Sequence, residues 1–173
     1  RMDSMIEGIL AYSRVQMRQL KPVPVDVREL VGQLRDEFEP QLRDGAALAE
    51  DIEPGVLETD REGLAQILRN FLSNALKFSR GVHPSQARIE GRHCGRGYRF
   101  SVVDNGIGFD MRYHDRIFEI FHRLPHGEDA GGTGIGLALA ARAAERLGGR
   151  VWAESAPGRG ATFHFEQPNG LRP

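Results

Sequence analysis

Three polar blocks, two of them rich in glycine, are spaced between periodic segments and constrain this chain most. The first, Asn70-Phe-Leu-Ser-Asn-Ala-Leu-Lys-Phe78, lies in a stretch of helical period. The second, Asp104-Asn-Gly-Ile-Gly108, ends the β-rich run that begins at Tyr98, and the third, Gly131-Gly-Thr-Gly-Ile-Gly-Leu137, opens a helix. At about 100° per residue, Asn70, Asn74 and Lys77 fall within about 60° of one another, while Leu64, Leu68, Phe71, Leu72 and Ala75 crowd the opposite side. One face of that helix packs and the other presents two amides and an ammonium. The order and spacing are those of a nucleotide site split across a helix and two loops.

The segments between the blocks predict the fold. Met2, Met5, Ile6, Ile9, Tyr12, Ser13 and Gln16 trace an amphipathic helical seam, ended by Lys21-Pro-Val-Pro24, where proline removes amide donors. Asp26 caps a second helix carrying Val27, Leu30, Val31, Leu34 and Phe38, broken at Asp44-Gly45. Short strands are expected at Leu48 to Ile52 and near Val56-Leu57. Asp60 caps the helix that runs to about Phe78. Strands follow near 87–93 and 98–104, then a helix over 136–147 stopped by Gly148-Gly149, and a closing hairpin of 150–155 with 161–165. This pattern predicts an α+β chain: a two-layer α/β sandwich with a mixed, mainly antiparallel sheet covered by helices on one face, preceded by an amphipathic helix.

Composition narrows the partners. With 23 Lys and Arg against 24 Asp and Glu, no global field draws the chain to nucleic acid or an anionic membrane. Cys94 is the single cysteine, so neither an internal disulfide nor a cysteine metal cluster forms, which fits a cytoplasmic setting. No apolar run reaches the roughly 18 to 20 residues that span a bilayer.

Each block also has its own chemistry. Asparagine oxygens are hard neutral ligands suited to Mg²⁺, which keeps several waters and takes few protein contacts beside phosphates. Only two of the 23 basic residues are lysines, so Lys77 stands out as a compact ammonium. Asp104, beside Gly106 and Gly108, emerges where the backbone bends sharply and can accept from an exocyclic amine; the plain alternative is an Asp-Asn-Gly turn. The glycines from Gly131 to Gly136 aim backbone amides and a helix N-terminus at an anion without matching the P-loop or G-x-G-x-x-G pattern.

On these residues the chain resembles the catalytic and ATP-binding domain of sensor histidine kinases, in the superfamily that also holds type II topoisomerase and heat-shock chaperone ATPases. Residues 70–78 resemble its N box, 104–108 its G1 box, Ile117-Phe-Glu-Ile-Phe-His-Arg123 its F box, 132–137 its G2 box, and Gly158-Arg-Gly-Ala-Thr-Phe163 its glycine-rich hairpin. Ile9-Leu-Ala-Tyr-Ser-Arg14 is similar to the second helix of the dimerisation and phosphotransfer hairpin. The implied division is a partial hairpin helix over 1–22, a catalytic domain over 25–167 and a tail over 168–173. Residues around 144–149 and the lid are similar to phytochrome-like and PAS-linked kinases.

The resemblance implies ATP and Mg²⁺ as cofactors. Asn74 would hold the metal with Asn70 in support, Lys77 would contact phosphates and Phe78 would lie against adenine. Asp104 would bind the adenine amine, with clearance from Gly106 and Gly108 and a water-mediated contact from Thr162. Phe118 and Phe121 would anchor a mobile lid over 109–133, Arg123 would reach the terminal phosphate, and Gly132, Thr133, Gly134, Ile135, Gly136 and Leu137 would cradle the triphosphate. The γ-phosphate would pass to a histidine on a helix outside this chain and on to a response-regulator aspartate, within a homodimer. His83, His93, His114, His122, His126 and His164 sit in no acceptor motif and read as loop or surface residues. Two alternatives remain: a non-enzymatic or net-phosphatase module of the same family, and an ATPase of the topoisomerase kind. The ATPase is disfavoured because Asn70 stands where those enzymes carry a glutamate base.

Overall fold

Alternating apolar and polar residues along five segments build the main sheet. In the computed structural model, which describes residues 2–125 and 131–169, the elements are α1 (Met2–Met17), β1 (Pro22–Asp26), α2 (Val27–Leu42), β2 (Ala46–Ile52), β3 (Val56–Asp60), α3 (Arg61–Phe78), β4 (Ser85–Cys94), β5 (Gly97–Asp104), α4 (Gly136–Arg146), β6 (Arg150–Ser155) and β7 (Ala161–Pro168). The five-stranded sheet has the order β2-β4-β5-β7-β6. Only the β2–β4 pair is parallel. Ile89, Phe100, Val102, Phe163 and Phe165 point to the core, while Arg88, Arg99 and Glu166 alternate to the open face. The expected two-layer α+β sandwich is the observed one.

Helix α3 is the spine of the core. Its cap, Asp60, accepts from the Gly63 amide at 2.7 Å, satisfying one of the first-turn donors. Leu64, Ile67, Leu68, Phe71, Leu72 and Ala75 are buried along one stripe. Each large side chain there contributes about 1.5 to 3 kcal/mol by leaving water. Burying that stripe fixes the rotation of the helix and so turns Asn70, Asn74 and Lys77 away from the core centre, all only partly buried.

One element was not foreseen. The proline run expected only to end α1 also forms β1, antiparallel to β3 with Pro22 opposite Asp60 and Val25 opposite Leu57. Proline is tolerated because this is a two-stranded pair with a free edge, where a missing amide breaks no ladder on that side.

Helix α1 packs on α4. Gly8 lies so close to Ile135 that a Cβ at position 8 would collide with the isoleucine Cδ1. Arg146 Nη1 donates to the Val15 carbonyl, and Arg18 makes a two-pronged ion pair with buried Asp60. Asp60 also accepts from the Lys21 amide at 2.8 Å. Burial alone would raise the Asp60 pKa, but Arg18 and the Lys21 and Gly63 amides outweigh it and hold the carboxyl below its usual value.

Arg18→Ala is therefore expected to cost about 1 to 3 kcal/mol at pH 7 in urea unfolding, since it strands a buried charge. Stability from a carboxylate held low is present above its unfolded pKa of about 3.9 and is lost as pH falls through the folded value, so the deficit of the variant shrinks in acid. Equal stability of the two proteins at pH 7 would refute the assignment.

Candidate functional site

The loop after β5 is held on three sides. Asn105 ties it to the start of β4: its side-chain oxygen accepts from the Gln86 amide at 2.9 Å and its NH₂ donates to the Pro84 carbonyl at 2.8 Å. The Ile107 amide donates to the Phe78 carbonyl at the end of α3 at 3.2 Å. The turn between β6 and β7 supplies the third side: the Gly160 amide donates to the Gly106 carbonyl at 3.0 Å and the Gly158 amide to the Ile107 carbonyl at 2.7 Å. Gly160, at φ +72°, must be glycine, because a Cβ there would strike the Asp104 carbonyl.

Asp104 projects from the end of this clamp into the interior, 7% exposed. Burial drives its pKa up to about 6, although the Gly106 and Ala161 amides donate to it and pull in the opposite direction. A buried carboxylate with no cation beside it among the described residues is an acceptor open to a donor.

Across from it, the polar face of α3 meets the glycine loop. Lys77 Nζ lies against the Gly132 backbone, where any side chain would collide with it, and sits 4.8 Å above the Phe78 ring centroid. Burial first, then Arg123 and Arg80, lower the Lys77 pKa. Three positive charges thus lie close together beside the glycine loop, a local field that suits an anion. Asn70 donates to the Gln66 carbonyl at 3.0 Å, and its oxygen would lie 3.2 Å from a Cβ on Gly136, at the first turn of α4. Asn74 lies one turn further along α3, and among the described residues nothing bonds its amide, leaving the oxygen open to a cation. No cluster of three His, Cys, Asp or Glu suited to a metal occurs among the described residues. A magnesium ion here would rest on an amide oxygen, phosphates and water, which is a donor set that ion accepts.

The F box segment joins the same cradle. The Phe121 amide donates to the Gly134 carbonyl at 2.9 Å, and a Cβ on Gly134 would sit 3.2 Å from Arg123 Cγ. Phe118 packs against the core. Phe121 does not: it is 38% exposed and is held at φ 62°, an uncommon strained conformation for a bulky residue. Ile135 is buried against α1, Leu137 packs on the core, and Thr133 is partly buried in the loop. Of the expected lid, residues 126–130, with His126, lie outside the described residues. Its first part forms two short 3-10 turns, Met111–Tyr113 and Arg116–Phe118, with Ile117 buried.

Two expectations are corrected. Thr162 pairs with Val103 and Glu154 on the open face, whereas Asp104 pairs with Ala161 on the helix-covered face. The two-residue alternation of the strand thus turns Thr162 away from Asp104, and the Ala161 amide is the group that reaches the carboxylate. Nor are all the histidines loop or surface residues. His93 lies in β4 but is exposed, whereas His164 in β7, its side chain 13% exposed, bonds Ser101 at 2.7 Å and stacks on Trp152 at 4.8 Å between ring centroids. Neither Asn105 nor Ala161 is marked by the sequence: Ala161 acts through its backbone amide, and the Asn105 side chain bonds residues about twenty positions away.

Comparison with known proteins accords with this geometry. Residues 59–171 match the family model described as histidine kinase-, DNA gyrase B-, and HSP90-like ATPase. The chain is 38% identical over 175 residues to cyanobacterial phytochrome A of Nostoc sp. (strain PCC 7120), covering 99% of this chain and 22% of that protein's length. The solved structure of full-length ShkA in complex with AMPPNP superposes with a TM-score of 0.84 at 30% identity, over 98% of this chain and 36% of ShkA. Histidine kinase ThkA in complex with the response regulator protein TrrA shares the fold, with a TM-score of 0.80 at 23% identity, over 99% of this chain and 48% of that one. The split cradle and these matches converge on one assignment: the chain belongs to the histidine kinase-, DNA gyrase B-, and HSP90-like ATPase family, as the catalytic ATP-binding domain of the sensor histidine kinase type.

Proposed function

We propose that this chain presents Mg-ATP for transfer of the γ-phosphate to a histidine carried by a segment outside these 173 residues, for relay to a response-regulator aspartate. The observation that carries the reading is the meeting of Lys77 with Gly132 and of Asn70 with Gly136, facing a buried, amine-seeking Asp104. Asp104 accepts from the adenine amine, Phe78 covers the ring, and Gly106 gives clearance. Lys77 and Arg123 neutralise phosphate charge, and the amides of residues 132–137 orient the chain of phosphates. Asn74, with Asn70 behind it, is the protein contact for Mg²⁺, which when bound supplies charge neutralisation between phosphate oxygens. Phosphoryl transfer asks mainly for such positioning. Asn70 occupies the place one turn before Asn74 where a base for water would stand, so transfer is favoured over hydrolysis.

The same reading assigns 1–22 to a phosphotransfer hairpin, 25–167 to the catalytic unit and 168–173 to a tail. Met5, Ile6 and Ile9 are 45%, 51% and 49% exposed, an apolar seam suited to a homodimeric helical bundle. The ThkA complex supports a receiver domain as the partner. No helix among the described residues is long and apolar enough to cross a membrane.

Calorimetric titration with a non-hydrolysable ATP analogue tests the proposal. One saturable site that weakens when magnesium is chelated is the expected result. A folded chain that takes up no analogue overturns it.

A further inference from the structure

Among the bonds between the β6–β7 hairpin and the loop carrying Asp104, one is made by a side chain. Ser155, the last residue of β6, accepts from the Phe109 amide at 2.8 Å and donates to the Gly160 carbonyl at 2.7 Å. Its hydroxyl thus spans from the glycine that abuts Asp104 to the residue where the loop ends and the stretch toward the 3-10 turns begins. Phe109 itself is 8% exposed, with its ring centroid 6.2 Å from that of Phe163. Gly108, between them, is pressed against the Ala156 and Gly160 carbonyls. Among the described residues the Phe109 amide has no other acceptor, so without the hydroxyl a part-buried N–H loses its protein partner.

We propose that Ser155 is a positioning residue for the nucleotide site. Its hydroxyl sets the curvature of residues 104–109 and pins the root of the lid, so that Asp104 stands ready for adenine before nucleotide arrives. This rests on the nucleotide reading above. Ser155 bonds Phe109 and Gly160, whereas the same loop meets the end of α3 through the Phe78 carbonyl, so Ser155 is assigned an action through the loop and not on phosphate.

The test uses the whole chain and two variants. Ser155→Ala is expected to weaken binding of the non-hydrolysable ATP analogue by about tenfold, the size of one lost part-buried hydrogen bond. Ser155→Thr, which keeps the hydroxyl, is expected to bind within about twofold of the parent. Amide hydrogen exchange followed by NMR in the nucleotide-free protein supplies the local readout. In Ser155→Ala the Phe109 amide should lose protection while Val102, in the centre of β5, keeps its own. Parent-like binding by Ser155→Ala, or undiminished protection at Phe109, overturns the proposal, as does global loss of protection including Val102, which would make the residue merely structural. If the parent takes up no analogue, the nucleotide reading fails, and the exchange comparison still decides whether Ser155 holds the loop.

Discussion

Asp104→Asn is expected to weaken analogue binding at pH 7.5 by about 10- to 100-fold while leaving the chain at least as stable as the parent. The reason lies in acceptor count. The carboxylate takes the Gly106 and Ala161 amides and still has an oxygen lone pair for the adenine amine. An asparagine has one oxygen, so either an amide of the loop or the nucleotide goes unpaired. Stability moves the other way because burial holds the folded pKa at about 6, above the unfolded value. The folded state then binds the proton more tightly, stability declines as pH rises from about 4 to about 6, and removing the charge returns up to roughly 2 to 3 kcal/mol at neutral pH.

A pH series separates this from other causes. Below about pH 6 the parent carboxyl takes a proton and ceases to be a charged acceptor, so its advantage over Asp104→Asn should shrink by up to tenfold per unit. Using the variant as baseline removes the titration of the phosphates themselves. A parent-to-variant ratio that does not change between pH 5 and 8 would rule out the carboxylate as the adenine acceptor.

Asn74→Ala carries the second large effect. The parent should bind the analogue more tightly with magnesium than with chelator, and the variant should bind equally in both, losing about 10- to 100-fold of the magnesium-dependent affinity, the range for deleting a partner of a bound metal. The helix should not suffer, since alanine has the higher helix propensity and position 74 lies on the half-buried polar face of α3. Calorimetry with and without magnesium decides it. A variant that keeps the parent's full response to magnesium would move the metal contact elsewhere, Asn70 being next in line.

Much of this molecule is legible in local pattern. Helix α3 runs from Arg61 to Phe78 because Asp60 caps it and its apolar residues recur at helical spacing, and that same period placed Asn70, Asn74 and Lys77 on one face. Asp26 announced α2, and the paired glycines at 148–149 closed α4. Less was legible where one segment acts on another. Residues 22–26 read as a break because proline is a poor strand former in isolation; pairing with β3 makes them a strand. Thr162 looked like a site residue by its place in the hairpin motif, yet strand register turned it to the open face.

By itself, then, the sequence determined the elements, their polar faces and the order of the three blocks, since caps, periods of 3.6 and 2, and glycine turns act within a few residues. Only the tertiary structure decided which groups meet: Ala161 and not Thr162 beside Asp104, Ser155 under Phe109, Lys77 against Gly132, and α1 seated on α4 through Gly8 and Ile135. Those contacts join residues far apart along the chain. They follow from the pairing register of the sheet and the rotation of α3 imposed by its buried stripe, and both are set by packing the whole core at once.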